Sequence, residues 1–228
     1  MDPLWGVLSH LLRPHPWHGV QIGDAAPDVV TVYIEMVPTD TVKYEIDKET
    51  GFLKVDRPQL YSSFCPTLYG FIPQTFCAEQ VASMSRQSSE QTGFVGDHDP
   101  LDICVLTEKQ ISHADILLKA IPIGGLRMID GNEADDKILA VLEGDAAYGS
   151  WTDITDCPES MINRLKHYFL TYKDFPPSTT PKCEITAVYG KAEAHEVIRR
   201  SQEDYQKHFS DLFSMLQAVV SDYSKRPS

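Results

Sequence analysis

The chain has 228 residues, of which 42% are hydrophobic, and its 33 acidic and 20 basic residues give a formal net charge of −13 at pH 7. This length supports one sizeable core, so we expect residues 1–228 to form a single domain. The negative charge argues against general nucleic-acid binding. It would also repel a small polyanionic substrate unless cations or local Lys and Arg residues intervened.

Cysteine spacing and hydropathy indicate the redox environment of the chain and whether it enters a membrane. The five cysteines are widely spaced without a C-x-x-C pair, so neither a disulfide framework nor a zinc knuckle is expected. No stretch reaches the roughly 20 apolar residues of a membrane span. The apolar run from Leu4 to Leu12 lacks the basic start of a signal peptide. We therefore expect a reduced, cytoplasmic setting without membrane attachment.

The N-terminal half is predicted to be rich in strands. Residues 1–27 contain many Pro, His and Gly residues and are predicted as an irregular N-terminal arm, packed on the domain or on a partner subunit. The β-branched and aromatic run VVTVYIEM (29–36) predicts a strand. VKYEI (42–46) and FLKV (52–55) predict a hairpin, because Asp47 and Gly51 suit its loop. Such closely spaced short strands indicate a meander or a small barrel.

The pattern changes twice further along the chain. The segment 77–95 is polar and rich in Ser and Gln, which predicts a surface insertion between core elements. Apolar runs at 101–106, 115–123 and 137–143 predict further strands. From Pro158 to Lys173 the apolar residues lie on one helical face, and a second helix is predicted over about 193–221.

The segment GDHDPLD carries three carboxylates, Asp97, Asp99 and Asp102. In an extended chain Asp97 and Asp99 point to the same side, and a turn at Pro100 can bring Asp102 back toward them. Converging carboxylates repel one another unless a cation lies between them, and Mg²⁺ prefers oxygen ligands. A solvated acidic loop is the simpler alternative, but Asp102 opens an apolar strand, where an unpaired carboxylate is costly.

Other metal loops fit this segment less well. Counted from Asp97, the fifth and sixth positions of an EF-hand loop are occupied by Leu101 and Asp102, where an oxygen ligand and Gly are required. The eight histidines show no zinc-hydrolase spacing. A carboxylate site for a hard divalent cation remains the better interpretation.

A second acidic cluster precedes Lys137 and comprises Asp130, Glu133, Asp135 and Asp136. Alone it is typical of an exposed loop, but beside the first cluster it indicates further carboxylates that feed the same site. The side chains of Lys43, Arg57 and Lys173 are of the types that bind phosphate oxygens, although each alone is typical of a surface charge.

Five segments occur in one order: KYEIDKETGFLKVDR, CPTLYGF, GDHDPLD, D-x-x-x-x-D-D-K and TYKD. The order and the residues of these segments closely resemble those of the family I soluble inorganic pyrophosphatases, over about residues 29–175. The resemblance implies a mainly β fold. This would be a closed five-stranded OB-like barrel with α-helices packed outside it, including a long C-terminal helix.

The resemblance also implies roles for particular residues. The metal ligands would be Asp97, Asp102, Asp130 and Asp135, with Glu45 assisting another ion. Asp99 would orient and deprotonate the attacking water, with Tyr69 and Lys137 close to the metals and the reacting phosphate. The phosphate-binding residues would be Lys43, Arg57, Tyr172 and Lys173, and Glu35 would be a supporting carboxylate.

The same resemblance implies Mg²⁺ as cofactor, replaceable by Mn²⁺ or another divalent ion, pyrophosphate as substrate, and a homo-oligomer, either a dimer or a hexamer. The chain departs from the family pattern at His98, which we expect to point away from the metals, and at Cys65, where an aromatic residue is usual. Two alternatives remain open. They are a metal-dependent phosphatase acting on other phosphate compounds and a non-enzymatic OB-type binding module.

Overall fold

The computed structural model describes residues 13–60, 62–87, 93–173, 183–211 and 214. The strands are β1 (Val30–Met36), β2 (Val42–Ile46), β3 (Leu53–Pro58), β4 (Leu68–Phe71), β5 (Val95–Gly96), β6 (Asp102–Leu106), β7 (Ile116–Asp130), β8 (Glu133–Ala134), β9 (Lys137–Leu142) and β10 (Cys183–Gly190). The α-helices are α1 (Glu79–Gln87), α2 (Glu159–Thr171) and α3 (Lys191–His208).

Five strands close into a ring. β1 pairs with β4, β4 with β6, β6 with β9, β9 with β7, and β7 returns to β1. Closure removes the open edges that a flat sheet would leave. The predicted fold is confirmed: a mainly β chain with a closed five-stranded OB-like barrel and packed α-helices, including a long C-terminal one.

Strand β7 is longer than the predicted run 115–123, because it continues through Gly124 and Gly125 to Asp130. Its second half pairs with β10, a strand that, like β4, is not predicted from the sequence. Glycine is required at position 125, since a Cβ there would lie 2.4 Å from the ring of Tyr189 in β10. The two glycines therefore allow β10 to lie close against β7 rather than ending the strand.

The core has two main layers that follow the alternation of strand side chains. Ile103 and Ile138 belong to a buried cluster that includes residues of α3. Their neighbours Cys104 and Leu139 belong to a second cluster that includes residues of α2. At the start of β6 and of β9, one side of each strand therefore faces α3 and the other faces α2. Polar residues next to these positions can meet only if they lie on the same side.

The predicted helices form where expected. The first is confirmed as α2, with Pro158 as the residue before its first turn. The second is confirmed from Lys191 to His208, whereas the predicted continuation to 221 lies largely outside the described residues. No helix in the described ranges is long and apolar enough to cross a membrane.

Two peripheral predictions concern the arm and the insertion. In the described part of the arm, Trp17 is buried and its Nε1 donates to the Thr75 carbonyl at 2.7 Å. Within 77–95 the chain forms α1, which buries Val81 and Ala82 rather than lying wholly on the surface, while 88–92 fall outside the described residues. That 77–95 is an insertion, and that 1–228 form one domain, stay predictions.

Candidate active site

The register of the barrel strands brings the two acidic clusters together. β6 and β9 run parallel and begin side by side, with Asp102 opposite Lys137. β7 ends at Asp130, which pairs with Glu133 of β8, so the chain turns back and reaches Asp135 just before β9. Residues about 30 positions apart in the chain therefore meet at one end of the barrel.

Lys137 lies at the centre of this group. It is 1% exposed, and its ammonium contacts the carboxylates of both Asp102 and Asp135. The Tyr69 hydroxyl donates to Asp102 Oδ2 at 2.6 Å. Burial lowers the pKa of Lys137, but Asp102 and Asp135 outweigh it and leave that pKa well above its ordinary value. Lys137 is therefore a fixed cation between two carboxylates.

Asp97 adds a third carboxylate to the group. It follows β5, which runs parallel to β8 with Gly96 opposite Ala134 and so directs Asp97 toward Asp135. Burial raises the pKa of Asp97 well above its ordinary value, Asp135 raises it further, and Lys137 opposes both. Lys137 alone does not offset the negative charge crowded here, so added positive charge would favour the ionised form of Asp97.

Tyr172 and Lys173, which directly follow α2, extend the site. Lys173 contacts the carboxylate of Asp130, and the Cys183 thiol of β10 lies 3.6 Å from the other oxygen of that carboxylate. Tyr172 is 8% exposed. Its ring lies 5.3 Å from the Lys173 ammonium and 5.7 Å from the Arg57 guanidinium. Tyr172 thus connects the carboxylate cluster to the β2–β3 hairpin.

The β2–β3 hairpin presents the remaining cations. Lys43 stands opposite Arg57 in its register. The Lys43 ammonium lies 2.8 Å from Glu45 Oε2 and 3.4 Å from Asp56 Oδ2, and Arg57 Nη1 lies 2.5 Å from the same Asp56 carboxylate. Asp56 was not predicted as a site residue, although it directly precedes Arg57. The Asp56 carboxylate therefore pairs with both phosphate-binding candidates of the hairpin.

A cleft of about 50 Å³ separates the hairpin from the barrel. Among its lining residues are Glu35, Lys43, Glu45, Tyr69, Lys48, Asp99 and Asp102. Glu35 is buried and accepts a hydrogen bond from the Ile46 amide at 2.8 Å. Burial raises the pKa of Glu35 to about 8. Asp99 is 41% exposed and forms an ion pair with Lys48, a residue whose isolated surface charge carried no signal in the sequence.

The structure therefore brings all of the predicted site residues into one connected region. The hairpin and cleft hold Glu35, Lys43, Glu45, Arg57, Tyr69 and Asp99, and the barrel end and the end of α2 hold Asp97, Asp102, Asp130, Asp135, Lys137, Tyr172 and Lys173. Cys183 was missed because β10 was not predicted, although its alternating sequence EITAVY was a usable signal.

The two departures from the family pattern have structural counterparts. His98 is exposed, has a φ of 60°, and lies with its ring 5.7 Å from that of Phe76. Cys65 is 1% exposed and lies 3.9 Å from Thr67 Oγ1 within the core cluster next to α2. Cys65 therefore contributes to packing at the position where an aromatic side chain was expected.

Comparison with known proteins identifies the family. Residues 32–206 match the model of the inorganic pyrophosphatase family. The inorganic pyrophosphatase of Chlamydia muridarum is 53% identical over 195 residues, which cover 84% of this chain and 93% of that protein. Soluble inorganic pyrophosphatase 3 of Arabidopsis thaliana is 34% identical, with 89% and 85% covered.

Solved structures agree with the sequence matches. The crystal structure of the inorganic pyrophosphatase from Thermus thermophilus aligns with a TM-score of 0.69 at 30% identity, covering 82% of this chain and 97% of that one. Family membership implies a divalent metal cofactor. The chain belongs to the inorganic pyrophosphatases, enzymes that hydrolyse pyrophosphate to two phosphates.

Proposed function

We propose that pyrophosphate is hydrolysed in the cleft between the β2–β3 hairpin and the barrel end, with Mg²⁺ as the divalent ion. One observation carries the proposal: Asp102 and Asp135 share the buried ammonium of Lys137, and Asp97 lies against Asp135. Negative charge in excess of its buried partner is the condition under which a carboxylate site binds a hard cation.

The donor set suits Mg²⁺, which prefers carboxylate and water oxygens over nitrogen or sulfur ligands. Within the described ranges, however, no three His, Cys, Asp or Glu side chains lie close enough together to hold a metal ion. Lys137 and Lys173 pair with the carboxylates instead. A bound cation would therefore compete with these ammonium groups for Asp102, Asp130 and Asp135.

The chemistry divides between the cation and the protein. Bound divalent ions lower the pKa of water and neutralise charge on phosphate oxygens. Asp99, at the exposed side of the cleft, accepts the proton of the attacking water. An oxygen–phosphorus bond forms, the bond from that phosphorus to the bridging oxygen breaks, and two phosphates leave. No covalent enzyme intermediate is needed.

The basic side chains surround the substrate on three sides in this proposal. Lys43 and Arg57 project from the hairpin and Lys173 from the end of α2, and their charges offset those of the phosphate oxygens. Tyr172 supports Arg57 and Lys173 through its ring. Glu45 would help to hold a further ion, and Glu35 lines the cleft and accepts from the Ile46 amide.

Phosphate release from pyrophosphate tests the proposal. Activity should disappear in a chelator and return with Mg²⁺. Asp99→Asn should lower kcat about a hundredfold or more, because it removes the proton acceptor. Asp115→Asn is a matched control, since Asp115 is 39% exposed and also pairs with a cation, Arg13, outside the cleft.

Two results would contradict this assignment. One is hydrolysis that continues after complete metal removal, and the other is a kcat for Asp99→Asn equal to that of Asp115→Asn. A panel of nucleotides and phosphate esters measured beside pyrophosphate distinguishes the proposed activity from that of a general phosphatase.

We also propose a cytoplasmic homo-oligomer, a dimer or a hexamer, that binds no nucleic acid. Exposed apolar side chains support self-association: Phe52 is 66% and Val55 is 57% exposed on the hairpin, and Leu117 is 52% exposed on β7. Light scattering coupled to size-exclusion chromatography measures the assembly, and a single-subunit mass would contradict it.

A further inference from the structure

A second polar network lies on the opposite side of β9 from Lys137. Asp136 stands between Asp135 and Lys137, and alternation along an extended chain directs its side chain away from both. The adjacent Ile138 faces the cluster shared with α3, whereas Leu139 faces the cluster shared with α2. Asp136 therefore points toward α3, and it is only 2% exposed.

Three elements supply the partners of Asp136. Arg127 of β7 places its Nε and Nη2 atoms 3.4 and 3.3 Å from Asp136 Oδ2. The Tyr189 hydroxyl of β10 donates to the same oxygen at 3.0 Å. Arg127 also pairs with Glu193 of α3 at 2.9 Å and lies over the Tyr189 ring at 5.1 Å. Gly125 permits this ring position, as described above.

Stability does not account for this arrangement well. Replacing a buried ion pair by apolar residues of similar volume is often neutral or stabilising. Among the described residues, Asp136 Oδ1 also has no hydrogen-bond partner, which adds a desolvation cost. A buried charge at this position, between two residues of the candidate site, therefore suggests a role in the site.

We propose that Asp136, held by Arg127 and Tyr189, is a positioning residue for Asp135 and Lys137. Fixing the Asp136 side chain on one side of the chain, just before β9, fixes the direction in which its two neighbours project on the other side. The Asp135 amide is held as well, since it donates to the Met128 carbonyl at 2.9 Å. This inference rests on the proposed role of Asp135 as a metal ligand.

The test compares Asp136→Asn and Tyr189→Phe with the wild-type enzyme. We expect both variants to raise the Mg²⁺ concentration for half-maximal activity about tenfold, as loss of outer-shell partners does at metal sites. The KM for pyrophosphate at saturating Mg²⁺ should change by less than about twofold, because Lys43 and Arg57 lie on the separate hairpin. The increase in Tm produced by Mg²⁺ alone should shrink in both variants.

Tyr205→Phe is the matched control. Tyr205 is also a buried tyrosine, and its hydroxyl lies 2.8 Å from His18 Nδ1, near the opposite end of α3 from Glu193. The control should lower the Tm without Mg²⁺ and leave the Mg²⁺ dependence unchanged. If Tyr189→Phe behaves in the same way, the network is structural only and the inference is wrong. Tyr189→Phe also decides the question if Asp136→Asn does not fold.

Asp135→Asn separates this inference from the proposed function. It should abolish the response of the Tm to Mg²⁺ or weaken it strongly. If Asp135→Asn leaves that response unchanged, the ligand assignment is wrong and the positioning role falls with it. A changed response in Asp135→Asn together with an unchanged one in Tyr189→Phe refutes the positioning role alone.

Discussion

Replacing Glu35 by Gln should remove a pH-dependent loss of stability from the metal-free protein. Burial raises the pKa of Glu35 from 4.5 to about 8, and nearby Asp102 also raises it, while the Ile46 amide and Lys43 oppose the change. Between pH 4.5 and about pH 8, Glu35 therefore keeps its proton in the folded protein and has released it in the unfolded protein. Because the pKa is higher in the folded state, this contribution to stability is complete below about pH 4.5 and is lost as the pH rises to about 8.

The size of the effect follows from the two pKa values. The slope is about 1.4 kcal/mol per pH unit between the two pKa values and half of that at each of them, so the wild-type protein should lose about 4 kcal/mol of unfolding free energy between pH 4.5 and pH 8 from this one group. Glu35→Gln carries no titrating group and keeps an oxygen that can accept from the Ile46 amide. It should therefore become more stable than the wild type toward pH 8.

Urea unfolding in a chelator, at several pH values from 4.5 to 8, measures the difference between the two proteins. Glu143→Gln, at an exposed position in the turn after β9, is the control and should follow the wild-type curve. If the curves of Glu35→Gln and wild type run parallel over this range, Glu35 does not hold a proton in the folded state and the reasoning from burial is refuted.

Three other substitutions test separate parts of the site. Lys137→Met leaves two carboxylates without their buried ammonium and should lower kcat about a hundredfold in phosphate-release assays; near-normal kcat would contradict a central role. Gly125→Ala places a Cβ 2.4 Å from the Tyr189 ring and should cost about 1–3 kcal/mol in chemical denaturation, with an unchanged midpoint as the contrary result. Arg57→Lys keeps the charge but loses bidentate geometry, so KM for pyrophosphate should rise more than kcat falls; an unchanged KM would count against phosphate binding there.

The elements predicted most accurately were those with a strong local pattern. The β-branched run of β1, the hairpin of β2 and β3, and the apolar stripe of α2 formed within a few residues of their predicted bounds. β4 was missed because LYGF is only four residues long and continuously buried, which gives no alternation to detect. The prediction for β7 ends just before Gly124, because glycine ordinarily weakens a strand, whereas the strand itself continues to Asp130.

The chemistry of the site was predictable in kind, because carboxylate spacing and a family resemblance require no knowledge of packing. The partners of each group were not predictable. Asp102 and Lys137 meet through the parallel pairing of β6 with β9, and such long-range register depends on closure of the whole barrel. Side-chain alternation then sends Asp135 and Asp136 to opposite sides, Asp135 toward Lys137 and Asp136 toward Arg127 and Tyr189. Residue types were readable along the chain, whereas proximity and burial, which control charge and pKa, arise only once distant strands pack together.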